Sequence, residues 1–171
     1  LENSFYASLE HKLTPKLTAE YGFRFSNFLR LGNEVSSVYQ NNQPIVYNNL
    51  LGIYESSDPI SEINYSKRET IKAFNNIEPR ASLAYQFNDD NSVKLSYNRM
   101  TQYIHLLSNT TSVTPLDVWT PSGKYIKPQI GDQYAIGYFK NIKNKAYSLS
   151  LEAYYKRVKN RIDYIDGADL I

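Results

Sequence analysis

The feature that most constrains this chain is an alternation of side-chain character with period two, sustained over six segments and broken by turns of two very different lengths. Over 4–12, Phe5, Ala7, Leu9 and His11 fall on one face, and Ser4, Tyr6, Ser8, Glu10 and Lys12 on the other. Leu13-Thr14-Pro15-Lys16 supplies a short turn, the proline ring presetting φ. The alternation resumes over 17–28, where Leu17, Ala19, Tyr21, Phe23 and Phe25 oppose Thr18, Glu20, Gly22, Arg24 and Ser26. A helical period would scatter these residues around an axis, whereas a strand with unlike faces keeps them sorted. The same design recurs over 79–87 and 93–103, joined by Asn88-Asp89-Asp90-Asn91-Ser92. It recurs again over 132–140 and 146–157, joined through Asn141-Ile142-Lys143-Asn144-Lys145. Asn and Asp favour such turns because they tolerate left-handed backbone and bond their own main chain.

Short turns therefore centre near 15, 90 and 143, and long connections run over 31–76 and 105–130. In an antiparallel arrangement every short turn then lies at one end of the sheet and every long connection at the other. The pattern predicts an all-β, antiparallel up-and-down meander of about six strands, in one domain spanning 1–171. The segment before Pro79 is polar and rich in Asn, Ser and Gln, with strand extensions expected near 35–39 and 63–72.

Face chemistry narrows the class. At mid-strand the apolar face carries Leu, Ala, Val, Ile, Phe and Tyr, and the strand charges Glu10, Glu20, Arg24, Lys94 and Glu152 are assigned to the other face. Tyr outnumbers Phe by 16 to 7, and Tyr97, Tyr134, Tyr138 and Tyr155 stand at strand ends, where an amphipathic ring suits an apolar–water boundary. No apolar run is long enough for a membrane helix, but a barrel strand needs only ~9–11 residues with alternate ones apolar. A soluble sheet also buries one uncharged face, so the alternative is a soluble or surface-exposed β-sheet module that binds glycan or protein. The sorting of short turns from long loops favours a transmembrane barrel, which has that arrangement. Six strands are fewer than the ~8 with which single-chain barrels begin. The chain is thus expected to be part of a larger barrel, in keeping with a sequence that starts Leu-Glu-Asn without Met or signal peptide. Zero Cys removes disulfides and thiolate metal sites, and 19 scattered basic residues with a net charge of +2 argue against a nucleic-acid partner.

The connection within 103–139 holds the one Trp, and its prolines and aromatics predict an ordered loop rather than a disordered one. It also belongs to a run of distinctive motifs over 77–139. These are Glu78-Pro79-Arg80 opening a strand, Tyr97-Asn98-Arg99 closing its partner, then Tyr103 through Ser108, Asp117-Val118-Trp119 with Pro121-Ser122, and Ile126-Lys127-Pro128-Gln129. In these residues the chain resembles the barrel region of TonB-dependent outer-membrane receptors of Bacteroidetes, the outer membrane protein β-barrel family. The resemblance implies a barrel of about 22 strands with a plugged lumen, importing a bound nutrient with energy relayed by TonB. It implies outer-membrane lipid, the TonB system acting through a plug domain, a surface lipoprotein and a small ligand as partners. The ligand could be a siderophore, glycan, peptide or vitamin. Plug, TonB box and terminal aromatic are not recognisable in this stretch, so transport is expected of the parent protein and not of this segment alone. The expected location is the outer membrane, with long loops extracellular and short turns periplasmic.

Tyr103, Trp119 and Tyr125 are the candidate ligand contacts, because binding residues concentrate on loops carried by a rigid scaffold. The competing role for Trp119 and the prolines is to fold the loop against the barrel rim. His11 and His105 lack any partner at ligand spacing, and Asp163, Asp166 and Asp169 in DYIDGAD miss the calcium-loop spacing, so no metal or cofactor is expected. Asn109-Thr110-Thr111 fits a glycosylation pattern of little weight in a bacterial setting. With no Ser-His-Asp set, phosphate loop or paired catalytic carboxylates, an enzyme is not expected.

Overall fold

The computed structural model describes residues 1–107, 118–142 and 146–162. The chain opens with a hairpin of β1 (Glu2–Thr14) and β2 (Leu17–Leu31). Four short strands follow: β3 (Glu34–Val38), β4 (Ile45–Asn48), β5 (Ile53–Ser56) and β6 (Ser61–Tyr65). β3 pairs with β6, close to the strand extensions expected near 35–39 and 63–72, and β4 with β5, so the polar connection carries two small antiparallel pairs. The second large hairpin is β7 (Thr70–Asn88) with β8 (Asn91–Gln102). A short pair, β9 (Ile104–Leu107) and β10 (Val118–Pro121), leads to the third, β11 (Gln129–Ile142) with β12 (Tyr147–Lys159). The large strands form one antiparallel sheet in the order β1-β2-β7-β8-β11-β12.

Register makes each face continuous across the sheet. One hydrogen-bonded row reads His11, Ala19, Leu83, Leu95, Ile136 and Ala153; the neighbouring row, displaced by one residue, reads Glu10, Glu20, Ser82, Ser96, Ala135 and Tyr154. Since successive side chains point to opposite faces, a slip of one residue at any pairing would carry Glu20 or Lys94 onto the apolar side. Gly22 permits the close approach of β1, because a Cβ there would stand 2.4 Å from the Ala7 carbonyl oxygen.

The apolar face has no second layer. Phe5 and Leu9 are 63% exposed and Leu151 71%, while the buried apolar residues among those described are Ala19, Phe28 and Tyr103. Domains in water cover such a face with a second layer, and soluble proteins rarely expose apolar patches beyond a few hundred Å². Here the face is stable only against an apolar surround.

The sheet forks at Pro79. The β7–β8 ladder runs from Asn88–Asn91 to Arg80–Asn98 and stops, while β7 stays paired with β2 through Thr70 and β8 with β11 through Gln102. Proline has no N–H for a ladder, which accounts for the end of pairing on that side.

Because Leu95 and Ser96 sit mid-sheet on opposite faces, the two sides give a direct contrast. Leu95→Arg in the parent protein is expected to lower folding stability in lipid by about 2–4 kcal/mol, with Ser96→Arg near neutral. Equilibrium refolding into bilayers measures both.

Candidate functional site

The boundary of the apolar face is the first functional feature. On β1, β2 and β7 the face extends to the row Phe5, Phe25 and Ile77, and the next row outward is Asn3, Asn27 and Asn75. On β8, β11 and β12 it ends at Tyr97, Tyr134 and Tyr155, and the next row is Arg99, Asp132 and Arg157. Tyr97 lies opposite Ala81, four positions closer to the short turns than Ile77. The opposite edge shifts the same way: Leu17 begins β2 in the row of Leu151, whereas β12 carries the face two outward positions further through Leu149 and Tyr147. A step of four residues is ~13 Å along a strand, taken over five strand spacings of ~24 Å, so the band crosses the rows at roughly 30°. Barrel strands tilt by about 35–45° to the axis, and a band held level in a membrane would slant across their rows in this way.

The outward face is not wholly free of charge. Arg99, Asp132, Lys140, Arg157 and Lys159 share the parity of the apolar side chains, which corrects the assignment of all strand charges to the opposite face. They stand toward the strand ends, beyond or at the edge of the apolar band, so they border it instead of crossing it. Asp132 is 7% exposed and accepts hydrogen bonds from Tyr97 Oη at 2.8 Å, Arg99 Nε at 2.7 Å and Arg99 Nη2 at 3.2 Å.

On the opposite face, just past the end of β8, Tyr103 is tied to β2 and β7. Its hydroxyl lies 2.6 Å from Ser26 Oγ and accepts from Asn76 Nδ2 at 2.8 Å, and Ser26 Oγ donates to Glu78 Oε1 at 2.9 Å. The ring stacks on Phe28 with centroids 4.8 Å apart and planes 3° from parallel. Ser26, Phe28, Glu78 and Tyr103 are all buried. A buried polar group without a partner costs ~1–3 kcal/mol, so this set holds together or fails together.

The loop stem carries a second buried pair. Ser122 N donates to the Tyr103 carbonyl at 2.7 Å, and Ser122 Oγ lies 2.9 Å from His105 Nε2. His105 is 1% exposed, and burial holds its imidazole below the usual range. Farther along, Tyr125 Oη donates to the Ser37 carbonyl at 2.8 Å, and its ring meets Tyr39 edge-on at 5.5 Å. The two long connections are thereby joined, with a small cleft between them lined by Arg30, Glu34, Thr120 and Tyr125.

The three candidate ligand residues thus occupy different settings. Tyr103 is enclosed and Tyr125 clasps the other loop, while Trp119 is 64% exposed on β10, opposite Leu106 on β9. Ser26, Asn76, Asp132 and His105 were not singled out as site residues from the sequence. The signal lay in the motifs, since Glu78, Tyr97, Arg99, Tyr103 and Ser122 all make these bonds. Among the described residues no group of His and carboxylates is placed to hold a metal. Asn109–Thr111 and the three aspartates of DYIDGAD lie outside the described residues.

A single-layer antiparallel sheet with one uncovered apolar face and an aromatic border has the character of the wall of a transmembrane β-barrel. A family profile described as TonB dependent receptor-like, beta-barrel matches residues 2–170, and the chain belongs to that family. It is a family of outer-membrane receptors and transporters, set in lipid and coupled to the TonB system. No curated protein and no solved structure matches the chain.

Two outcomes follow from the loop stem. Tyr103→Phe removes the hydroxyl shared by Ser26 and Asn76, and should lower the local opening free energy of β9–β10 by about 1–3 kcal/mol; amide hydrogen exchange of the parent reads this. Burial makes the His105 imidazole harder to protonate in the fold than in the unfolded chain, whose ordinary value is 6.5. The folded state therefore binds fewer protons, and stability present above pH 6.5 is lost as pH falls below it. Exchange protection at β9–β10 should decline from pH 7 to pH 5, and His105→Gln should flatten that decline.

Proposed function

We propose that this chain is a stretch of the barrel wall of a TonB-dependent receptor of Bacteroidetes type. Its parent takes up a siderophore, glycan, peptide or vitamin across the outer membrane, and the segment alone is not competent for transport. The observation that carries the reading is the uncovered apolar face with its slanted, tyrosine-edged border, set against an opposite face that bears Glu10, Glu20, Lys94 and Glu152. An open sheet cannot satisfy its two outer edges in lipid, so further strands belong to the parent, and membership of the family adds a plug reached by TonB and a surface lipoprotein to this proposal. The soluble-module alternative has no layer to cover Phe5, Leu9 or Leu151.

In this reading the long connections face the cell exterior and the short turns the periplasm. Trp119 is the residue that touches ligand, its exposed indole offering a flat apolar face on the side of the β9–β10 ribbon that carries Leu106 and Ile104. Tyr125 joins the two loops at the side of that surface, and Tyr103 fixes the stem from which it projects.

Because the chain contains no Cys, single-cysteine labelling tests the orientation. Leu50→Cys at the β4–β5 tip, where Leu50 is 96% exposed, should react with a membrane-impermeant maleimide on intact cells. Asp89→Cys in the β7–β8 turn should react only after the outer membrane is opened. The reverse pattern contradicts the orientation, and recovery of the parent as a soluble periplasmic protein contradicts the class. Trp119→Ala should lower TonB-dependent uptake about tenfold at unchanged receptor abundance, in line with the ~1–3 kcal/mol that an aromatic anchor commonly contributes.

A further inference from the structure

The outward-facing charges are unevenly placed. Apart from Lys140, which stands near the short turn after β11, all of them gather beside the long-connection end of three adjacent strands. Arg99, Asp132 and Arg157 are direct cross-strand neighbours in one row, and Lys159 lies opposite Ile130 in the next row outward. Tyr97, Tyr134 and Tyr155 form the row beneath, with the Tyr97 and Tyr134 rings 4.9 Å apart. Side chains directly opposite one another have Cβ atoms ~4.5–5.5 Å apart, so the row is a compact patch.

The charges in this patch do not balance. Three cations face one carboxylate, and Asp132 is already taken up by Arg99 Nε and Nη2 and the Tyr97 hydroxyl. Among the described residues Arg157 and Lys159 have no carboxylate within ion-pair distance, and both are exposed. Asp132 therefore acts as a brace that fixes the Arg99 guanidinium, and the excess positive charge remains on Arg157 and Lys159. Like charges so close together repel unless an anion joins them. The tyrosines directly beneath offer a surface for acyl chains, so the anion that fits is one attached to an apolar tail.

We propose that Arg99, Arg157 and Lys159 form a binding site for the phosphate of a phosphorylated glycolipid headgroup in the outer leaflet, whose acyl chains lie over Tyr97, Tyr134 and Tyr155. The Arg157 guanidinium bonds the phosphate oxygens in its fork geometry, Arg99 offers the guanidinium edge that Asp132 does not hold, and the Lys159 ammonium adds a third contact. The site rests on the reading that this face meets lipid with the long connections outside.

The test uses the full-length receptor purified in mild detergent, with bisphosphorylated lipid A and dephosphorylated lipid A as probes in native mass spectrometry. Wild type should bind the phosphorylated lipid strongly and the dephosphorylated one weakly. Arg157→Gln with Lys159→Gln should weaken the phosphorylated probe about 30-fold, two basic residues at a membrane surface each contributing roughly fivefold. Lys140→Gln, on the same face near the other end, should leave binding unchanged. Heat-modifiable gel migration confirms that each variant is folded, and Arg157→Lys, keeping the charge without the fork, serves if the double variant is not; it should lose a smaller part of the binding. Equal binding of the two lipids by wild type, or unchanged binding by the folded double variant, overturns the site while leaving the barrel wall intact. Failure of the wild-type receptor to enter the outer membrane overturns the lipid-facing reading and the site with it.

Discussion

The structure depends on one constraint: in hydrocarbon, main-chain polar groups must bond within the protein and charges must stay off the surface. Antiparallel pairing meets the first demand strand by strand, and register meets the second. The rows through Leu83 and Leu95 are apolar because every partner shares their parity, and the rows through Ser82 and Ser96 are free to carry Glu10, Glu20 and Tyr154. A chain under this constraint needs no conventional core. Its stability comes from the ladders and from the medium, which is why so few apolar side chains are buried within it.

Where the constraint relaxes, the chain changes character. At Pro79, inside the border on β7 and level with the first row beyond it on β8, the ladder between these two strands ends and the sheet opens. The opening is bridged on the polar face by Tyr103, which links the end of β8 to Ser26, Phe28 and Asn76 on the two strands on the far side of the fork. From that anchor the loop stem is built outward through Ser122 and His105, and Tyr125 then joins the two long connections. The described parts of this connection are held in place because Tyr103 and Tyr125 have specific partners. The one large aromatic in it without such enclosure is Trp119.

The sheet was readable from the sequence, since period two records which face each residue takes, and the alternation through Leu17–Phe25 or Tyr147–Tyr155 allows only one parity. The turns were readable because Pro15 and the Asn88–Ser92 cluster have defined local preferences. The hairpins within 31–76 were mostly not, for their strands are only 4–5 residues long and mix apolar and polar side chains on both faces, so no periodicity marks them. The early start of β7 at Thr70 was hidden by Asn75 and Asn76, which oppose Asn27 and Ser26 outside the apolar band where alternation lapses. The outward position of Asp132 and Arg99 needs the partner strand as well as the parity, because each acquires its meaning from the other. Ser26 and Asn76 resemble any polar lining residue until Tyr103, distant in sequence, is brought to them.

The slant of the apolar band ties these levels together, since it arises from residue placement and has meaning only if tilted strands sit in a membrane. Spin-label accessibility along β2 and β11 of the assembled parent receptor tests it most directly. Labels replacing outward residues should be reached by oxygen and shielded from a water-soluble relaxant up to Phe25 on β2, but only up to Tyr134 on β11. The border would then cross the hydrogen-bonded rows by four residues. A border that follows a single row, or water access to the labels at Phe23 and Ile136, would contradict the account.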